Sequence, residues 1–263
     1  PRFLHIFDRA CNLINERGEI LSIVTPEIGN GPFNLVVKTD ILFTGSLSIE
    51  SAVSVSADDI TLGSLNIPTA EAKLWNAQPD WELLHASKED IVKQVAQLPV
   101  TTYLNQGGLD MPSSVASGYS ITPSLQSPVS NLSYALATAD ISAAKDIASK
   151  LAGLGQGLTP SGDDFLMGAL HAAWIIHPQE VASGLAQGVA ESAAPLTTSL
   201  SAAWLRSAGR GEAGELWHQF FDALVSGDEI RINESVENIL AVGETSGADA
   251  LAGFVGVFWP LPL

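Results

Sequence analysis

The sequence predicts an α+β protein, with a β-rich N-terminal region followed by a compact, Ala/Gly-rich helical domain. Two contrasts carry that reading. The first hundred residues hold short β-branched runs broken by Gly, Pro, Asn and Asp, whereas from Tyr134 onward Ala, Leu and Gly recur at helical spacing. Between them, residues 111–133 hold eight serines and three prolines, the composition of a linker or long surface loop. The expected organisation is therefore a β-rich domain with a flanking helix over 1–110, a Ser/Pro-rich loop over 111–133, and a helical domain over 134–263.

Taken in order, the strand candidates are "GEILSIVT", "FNLVVKTD" and "SLSIESAVSVSADDITL", with Asn30-Gly31-Pro32 as a turn and Gly45 and Gly63 as punctuation. Residues 46–56 alternate as a half-buried strand does. A helix from about Trp81 to Leu98 places Leu83, Leu84, Ile91, Val95 and Leu98 on one side. Further helices are expected over 134–152, 162–176, 179–193, 196–208, 212–225, 229–242 and 247–258. Small residues on so many helix faces imply closely packed helices.

Composition narrows the function. With 46% hydrophobic and 16% charged residues the chain is globular rather than disordered. A net charge of −17 argues against nucleic acid and against anionic membrane surfaces, both of which need Lys and Arg. Cys11 is the sole cysteine, which rules out an intrachain disulfide and a thiolate metal cluster. "PRFLHIFDRACNL" lacks a basic-then-apolar leader pattern, and no run approaches a membrane span, so cytoplasmic residence is expected. His171 and His177 lie six apart and His5, His85 and His218 stand alone, so no His-x-x-x-His pair exists. Trp174, Trp204 and Trp217 read as core anchors.

Chemistry concentrates in "GLGQGLTPSGDDFLMG", residues 153–168. Ser161 reads as the N-cap of a helix, and Asp164 three positions on completes a capping box. Capping leaves Gly153, Gly155, Gly157, Thr159 and Asp163 unexplained. Glycines ahead of a helix let backbone N–H groups approach a ligand, yet two aspartates there repel a bare phosphate. The combination suits Mg²⁺ with a phosphate, or a substrate that presents both amide N–H and carboxylate groups. The loop lacks the lysine of a P-loop.

The stretch has an internal echo: "SGDDFLMG" at 161–168 recurs as "SGADALAG" at 246–253. Ser161 then aligns with Ser246, Gly162 with Gly247, Asp164 with Asp249, and Gly168 with Gly253. A glycine inside a helix costs roughly 1 kcal/mol relative to alanine, so Gly168 and Gly253 suggest a close helix–helix contact. The two helix starts are expected to adjoin and form one polar cluster. Between them, Thr197, Thr198 and Ser199 supply a helix cap. Arg206 and Arg210, two of only five basic residues after residue 100, share a helix face suited to an anion. For Arg210 a salt bridge to Glu212 or Glu215 is the favoured reading.

Together, "GxGLTPSGDDFLxG", "TT…S…LR" and "GxTSGADxLxG", with "NLINERGEILSIV" and "GPFNLVV" near the start, resemble a bacterial domain-of-unknown-function family. That family includes the AllH-type subunit of oxamate carbamoyltransferase, which works in anaerobic allantoin breakdown beside FdrA-type and AllG-type subunits. The resemblance implies transfer of a carbamoyl group between oxamate and phosphate, giving carbamoyl phosphate for a kinase that makes ATP. It points to Asp163, Asp164 and Asp249 as catalytic candidates. It points to Gly155, Gly157, Thr159, Ser161, Thr197, Thr198, Arg206, Thr245, Ser246 and Gly247 as substrate-binding candidates, with Gly243 in the same motif. The family often reads Gly-His-Thr-Ser-Gly where this chain has Glu244 in place of the histidine. No cofactor is assigned, and Mg²⁺ is the one candidate ion. Two other readings stay open: a non-catalytic ligand-binding or assembly subunit, and a Mg²⁺-dependent enzyme acting on a phosphorylated metabolite.

Overall fold

The computed structural model describes residues 1–98, 107–109 and 128–259. The greater part of the Ser/Pro-rich 111–133 stretch lies outside the described residues. The chain divides into two units, Pro1–Ala77 and Gln78–Leu263. The α+β expectation holds, with strands first and helices after.

In the first unit, β1 (Arg2–Ile6), β2 (Ala10–Ile14), β3 (Ile20–Val24) and β4 (Asn34–Val36) form a sheet in that order. β1–β2 and β2–β3 are antiparallel, and β3–β4 is parallel. A short helix, α1 (Phe43–Ser46), precedes a three-stranded antiparallel meander of β5 (Val53–Val55), β6 (Asp59–Leu62) and β7 (Leu65–Pro68). Phe3, Cys11, Leu13, Ile23, Phe43, Ile60 and Leu62 form its core. Burial pushes the Cys11 thiol up to about 12, so it is an inert core side chain. The strand expected through residues 46–56 is confined to Val53–Val55, because the chain turns at Ser48–Ser51, where Ser51 N–H donates to the Ser48 carbonyl at 2.9 Å.

The second unit is helical: α2 (Trp81–Ala86), α3 (Lys88–Val95), α4 (Pro128–Ala137), α5 (Ile141–Leu151), α6 (Ser161–Ile176) and α7 (Gln179–Ala193) come first. A 3₁₀ turn (Ala194–Leu196) leads to α8 (Ser199–Gly209), α9 (Glu215–Ser226), α10 (Glu229–Leu240) and α11 (Ser246–Phe258). Two expected helices are each a pair. Ser87 separates α2 from α3, and Ala139 at φ +56 with Asp140 as the next N-cap separates α4 from α5. Trp81, Leu84, Ile91 and Val95 belong to the same core as α4–α11. Its centre is aromatic, with Trp217, Phe220, Phe221 and Phe254 in mutual ring contact. Trp174 and Trp217 are buried there, and Trp174 Nε1 donates to the Ala208 carbonyl at 2.9 Å. Trp204 is half-buried.

α6 lies at the middle of this unit, with nearly every residue buried, and crosses α11 at backbone contact. A Cβ on Gly168 would collide with the Ala250 carbonyl, and a Cβ on Gly253 would collide with the Phe165 carbonyl. The collisions are reciprocal in the alignment of the two sequence repeats, since Phe165 aligns with Ala250. Each repeat also folds back on its preceding helix in the same way. Gly162 packs against the Leu151 carbonyl at the end of α5, and Gly247 against the Ile239 carbonyl near the end of α10. The α5–α6 and α10–α11 pairs are thus two copies of one device, related by an approximate two-fold exchange.

Because the obstacle at Gly168 and Gly253 is backbone, neither alanine variant can relax by a rotamer change. Gly168→Ala and Gly253→Ala should each destabilise by about 2 kcal/mol or more in urea denaturation. Gly184 on α7 has open space around its Cβ position, so Gly184→Ala should stabilise by up to about 1 kcal/mol. Equal effects at all three positions would contradict the backbone crossing.

Candidate functional site

The helix crossing fixes where α6 and α11 begin, and their first turns carry the polar motif. The sequence assigned Ser161 to an N-cap and Asp164 to a capping box. The structure corrects both. Pro160 occupies the N-cap with φ −54, no side chain caps the helix, and Ser161 is the first helical residue. Proline has no side-chain acceptor, and its carbonyl receives the Asp163 and Asp164 N–H groups at 2.8 and 3.2 Å, so the helix opens without a cap from Ser161 or Asp164. α11 starts alike, with Thr245 at the N-cap, no side-chain cap, and Ser246 as the first helical residue.

The loop before α6 turns through glycines. Gly153 and Gly155 have φ of +73 and +118, and Cβ atoms there would stand 2.9 Å from the Leu196 carbonyl oxygen and 2.7 Å from Ser161 N. Both positions need glycine twice over, for conformation and for space. The loop is tied down by Asp163, which is 3% exposed. Gly153 N–H donates to its Oδ1 at 2.9 Å, and Thr197 Oγ1 donates to its Oδ2. Thr198 caps α8 by accepting from Ser201 N–H at 3.1 Å and donates to the Leu158 carbonyl at 2.7 Å. Of the Thr197–Ser199 trio, one threonine is the cap and the other holds Asp163.

The two helix starts adjoin, as the repeat suggested. Thr159 Oγ1 and Ser246 Oγ are 3.0 Å apart in a hydrogen bond between the repeats. On the other side of the pair, a strip the sequence reading missed enters the cluster. Gly108 N–H donates to Asp249 Oδ1 and Oδ2 at 2.9 and 3.1 Å, and Leu109 N–H donates to Oδ1 at 3.4 Å. Gly108 lies so close to Ser161 Oγ that a Cβ would overlap it, and that Cβ would stand 3.2 Å from Thr245 Oγ1. The Gly107-Gly108 dipeptide was the only local signal of this strip, and its partner lies 141 residues away.

Asp164 differs from its neighbours. It is 7% exposed, and its Oδ2 accepts no hydrogen bond among the described residues. Burial pushes its carboxyl up to about 8. Charge on Asp249 and Asp163 adds to the rise, while the hydroxyls of Ser246 and Thr159 oppose it. Asp164 is thus a neutral acid with a proton to place at pH 7.

Other expected participants lie apart. Arg206 is exposed in the last turn of α8 and makes no hydrogen bond or ion pair to the cluster among the described residues. Arg210 pairs with Glu212 at 2.6 Å, the structural role favoured for it. Glu244, in place of the histidine, is exposed. His171 is buried among Trp81, Trp217 and Phe221, which lowers its pKa to about 3 and keeps it neutral. Among the described residues no group of three or more His, Cys, Asp or Glu side chains is placed to hold a metal ion. The bonding explains this for the aspartates: Asp163 and Asp249 already spend both oxygens on protein donors.

The raised Asp164 pKa has a definite stability signature. Between about pH 4 and 8 the folded chain holds a proton that the unfolded chain has released, so stability falls as pH rises through that window. Asp164→Asn should remove this decline, gaining on the wild type progressively from pH 4 to 8 in urea midpoints. Parallel profiles for the two proteins would contradict a buried neutral Asp164.

Comparison with known proteins agrees with the motifs. Residues 151–258 match the family model described as oxamate carbamoyltransferase subunit AllH, spanning both repeats and the polar cluster apart from the Gly108–Leu109 strip. Residues 5–77 match the AllH family N-terminal domain, ending where the first structural unit ends. No solved structure matches the chain. Along most of its length, in both units, the chain belongs to the family of the oxamate carbamoyltransferase subunit AllH.

Proposed function

We propose that this chain is a carbamoyl-transfer subunit whose paired helix starts hold an oxamate-type substrate. Its partners would be FdrA-type and AllG-type subunits, and its setting the cytoplasm; among the described residues no helix is long and apolar enough to cross a membrane. The observation that carries the reading is Asp164: a buried carboxyl with one oxygen that accepts no hydrogen bond among the described residues, beside the Thr159 and Ser246 hydroxyls, inside the motif that matches the family.

In the direction that forms carbamoyl phosphate, the donor is N-carbamoylated oxamate, and the bond between its carbamoyl carbon and the oxamate nitrogen breaks to release oxamate. A bond from that carbon to a phosphate oxygen forms, and the nitrogen gains a proton. Asp164, protonated in the free protein, is the group suited to supply that proton. Asp163 and Asp249 act as positioning residues, since their oxygens hold Gly153, Thr197, Gly108 and Leu109. Thr159, Ser161, Thr245 and Ser246 line the cluster, while Gly155 and Gly247 permit the close backbone approaches. The cluster holds no cation among the described residues, so the phosphate charge falls to a group from outside it, Arg206 or a partner subunit.

A second reading has its own observation. Leu154, Leu158 and Leu196 stand 47%, 38% and 54% exposed on the segments around the cluster, as a docking rim does. An assembly subunit without chemistry of its own would use that rim alone.

With reconstituted partner subunits, Asp164→Asn should lower turnover about 100-fold or more, in the range for loss of a positioned acid. Turnover unchanged in Asp164→Asn but lost in Leu158→Asp would overturn the catalytic reading in favour of assembly.

A further inference from the structure

The two repeats divide the polar cluster into two half-sites of one composition, in which the serines and aspartates correspond in the repeat alignment while the threonines do not, Thr245 aligning with Pro160 and Thr159 with Glu244. One consists of Ser161 from the start of α6 with Thr245 and Asp249 from the start of α11. The other consists of Ser246 from the start of α11 with Thr159 and Asp164 from the start of α6. Each therefore joins one serine, one threonine from just ahead of the opposite helix, and one buried aspartate.

The first half-site is filled. The Gly108–Leu109 backbone lies in it, giving two successive N–H groups to the Asp249 carboxylate, with the unsubstituted Gly108 carbon against Ser161 and Thr245. In the second, Asp164 Oδ2 has no donor among the described residues although the residue is 7% exposed. The occupant of the first half-site shows what chemistry this arrangement accepts: an amide N–H donor attached to a small, unbranched neighbour.

We infer that the second half-site binds the primary amide of the substrate, with its N–H groups donating to Asp164 and its carbonyl face beside Thr159 and Ser246. The ligand class is a small unbranched primary amide, of which oxamate is one. The inference rests on the proposed function above and names the group of the substrate that Asp164 receives. It accounts for the presence of aspartate here, since an amide N–H can donate to the Asp164 carboxyl in either protonation state, whereas the carboxylate left once its proton is given up would repel a bare phosphate or dicarboxylate. It also accounts for the lack of a P-loop lysine in the neighbouring loop, because the group received carries donors rather than negative charge.

Isothermal titration of the full chain at pH 9, where Asp164 is ionised, tests this with three probes: oxamate, oxalate and N,N-dimethyloxamate. Oxamate should bind at least tenfold more tightly than oxalate, which replaces the amide by a carboxylate, and than the dimethyl compound, which lacks N–H. Asp164→Asn, shown to be folded by circular dichroism, should lose that preference, since its amide puts a donor where an acceptor is needed. Ser246→Ala, which keeps the carboxylate, should bind oxamate more weakly yet retain the preference. Equal binding of the three probes, the same preference in Asp164→Asn, or no oxamate binding at millimolar concentration would each overturn the assignment. Turnover that still depends on Asp164 alongside a lost preference would overturn the half-site alone, whereas turnover indifferent to Asp164 would overturn the proposed function.

Discussion

The contact on which the rest of the helical unit depends is the crossing of α6 and α11 at Gly168 and Gly253. Two helices whose backbones touch cannot be displaced without a clash, so their starts are brought together with little freedom. Everything polar in the cluster follows from that placement. Ser246 reaches Thr159, and Asp249 reaches the Gly108 strip. Gly162 and Gly247 extend the constraint backward by seating each helix start against the end of the helix before it. Four glycines in matching positions thus act as one device, built twice.

The device buries three carboxylates in a small volume, and the protein resolves the cost unequally. Asp163 and Asp249 receive protein donors on both oxygens, which compensates burial by hydrogen bonding. Asp164 receives less and keeps its proton instead. Such a group lowers folded stability at neutral pH, and local conflict of this kind is common where a chain serves a ligand as well as its own fold. All three aspartates lie within the segment that matches the AllH family, which connects the physical anomaly to a carbamoyltransferase subunit family.

Much of this was legible in the sequence, though not the atoms. The repeat of "SGDDFLMG" as "SGADALAG", with interior glycines that only a close crossing explains, was enough to place the helix starts together. The capping assignment failed because Ser-x-x-Asp is read by spacing, and spacing does not show that Pro160 and Thr245 take the cap positions. The β1–β2 hairpin escaped notice because a register shift between Phe3 and His5 blurs its alternation. The helix expected over 134–152 hid a break at Ala139, a non-glycine residue with positive φ that no local rule flags. Thr197 and Gly108 were opaque for another reason. Their partners lie 34 and 141 residues away, so only the folded chain reveals which carboxylate each one serves.

The central claim is that the two repeats create one filled half-site and one open to a substrate amide. A crystal structure of the protein with oxamate measures this most directly. The account predicts the amide nitrogen within hydrogen-bonding distance of Asp164 Oδ2, between Thr159 and Ser246, with Gly108 still on Asp249. Oxamate seated away from Asp164, or in place of Gly108 at Asp249, would contradict it.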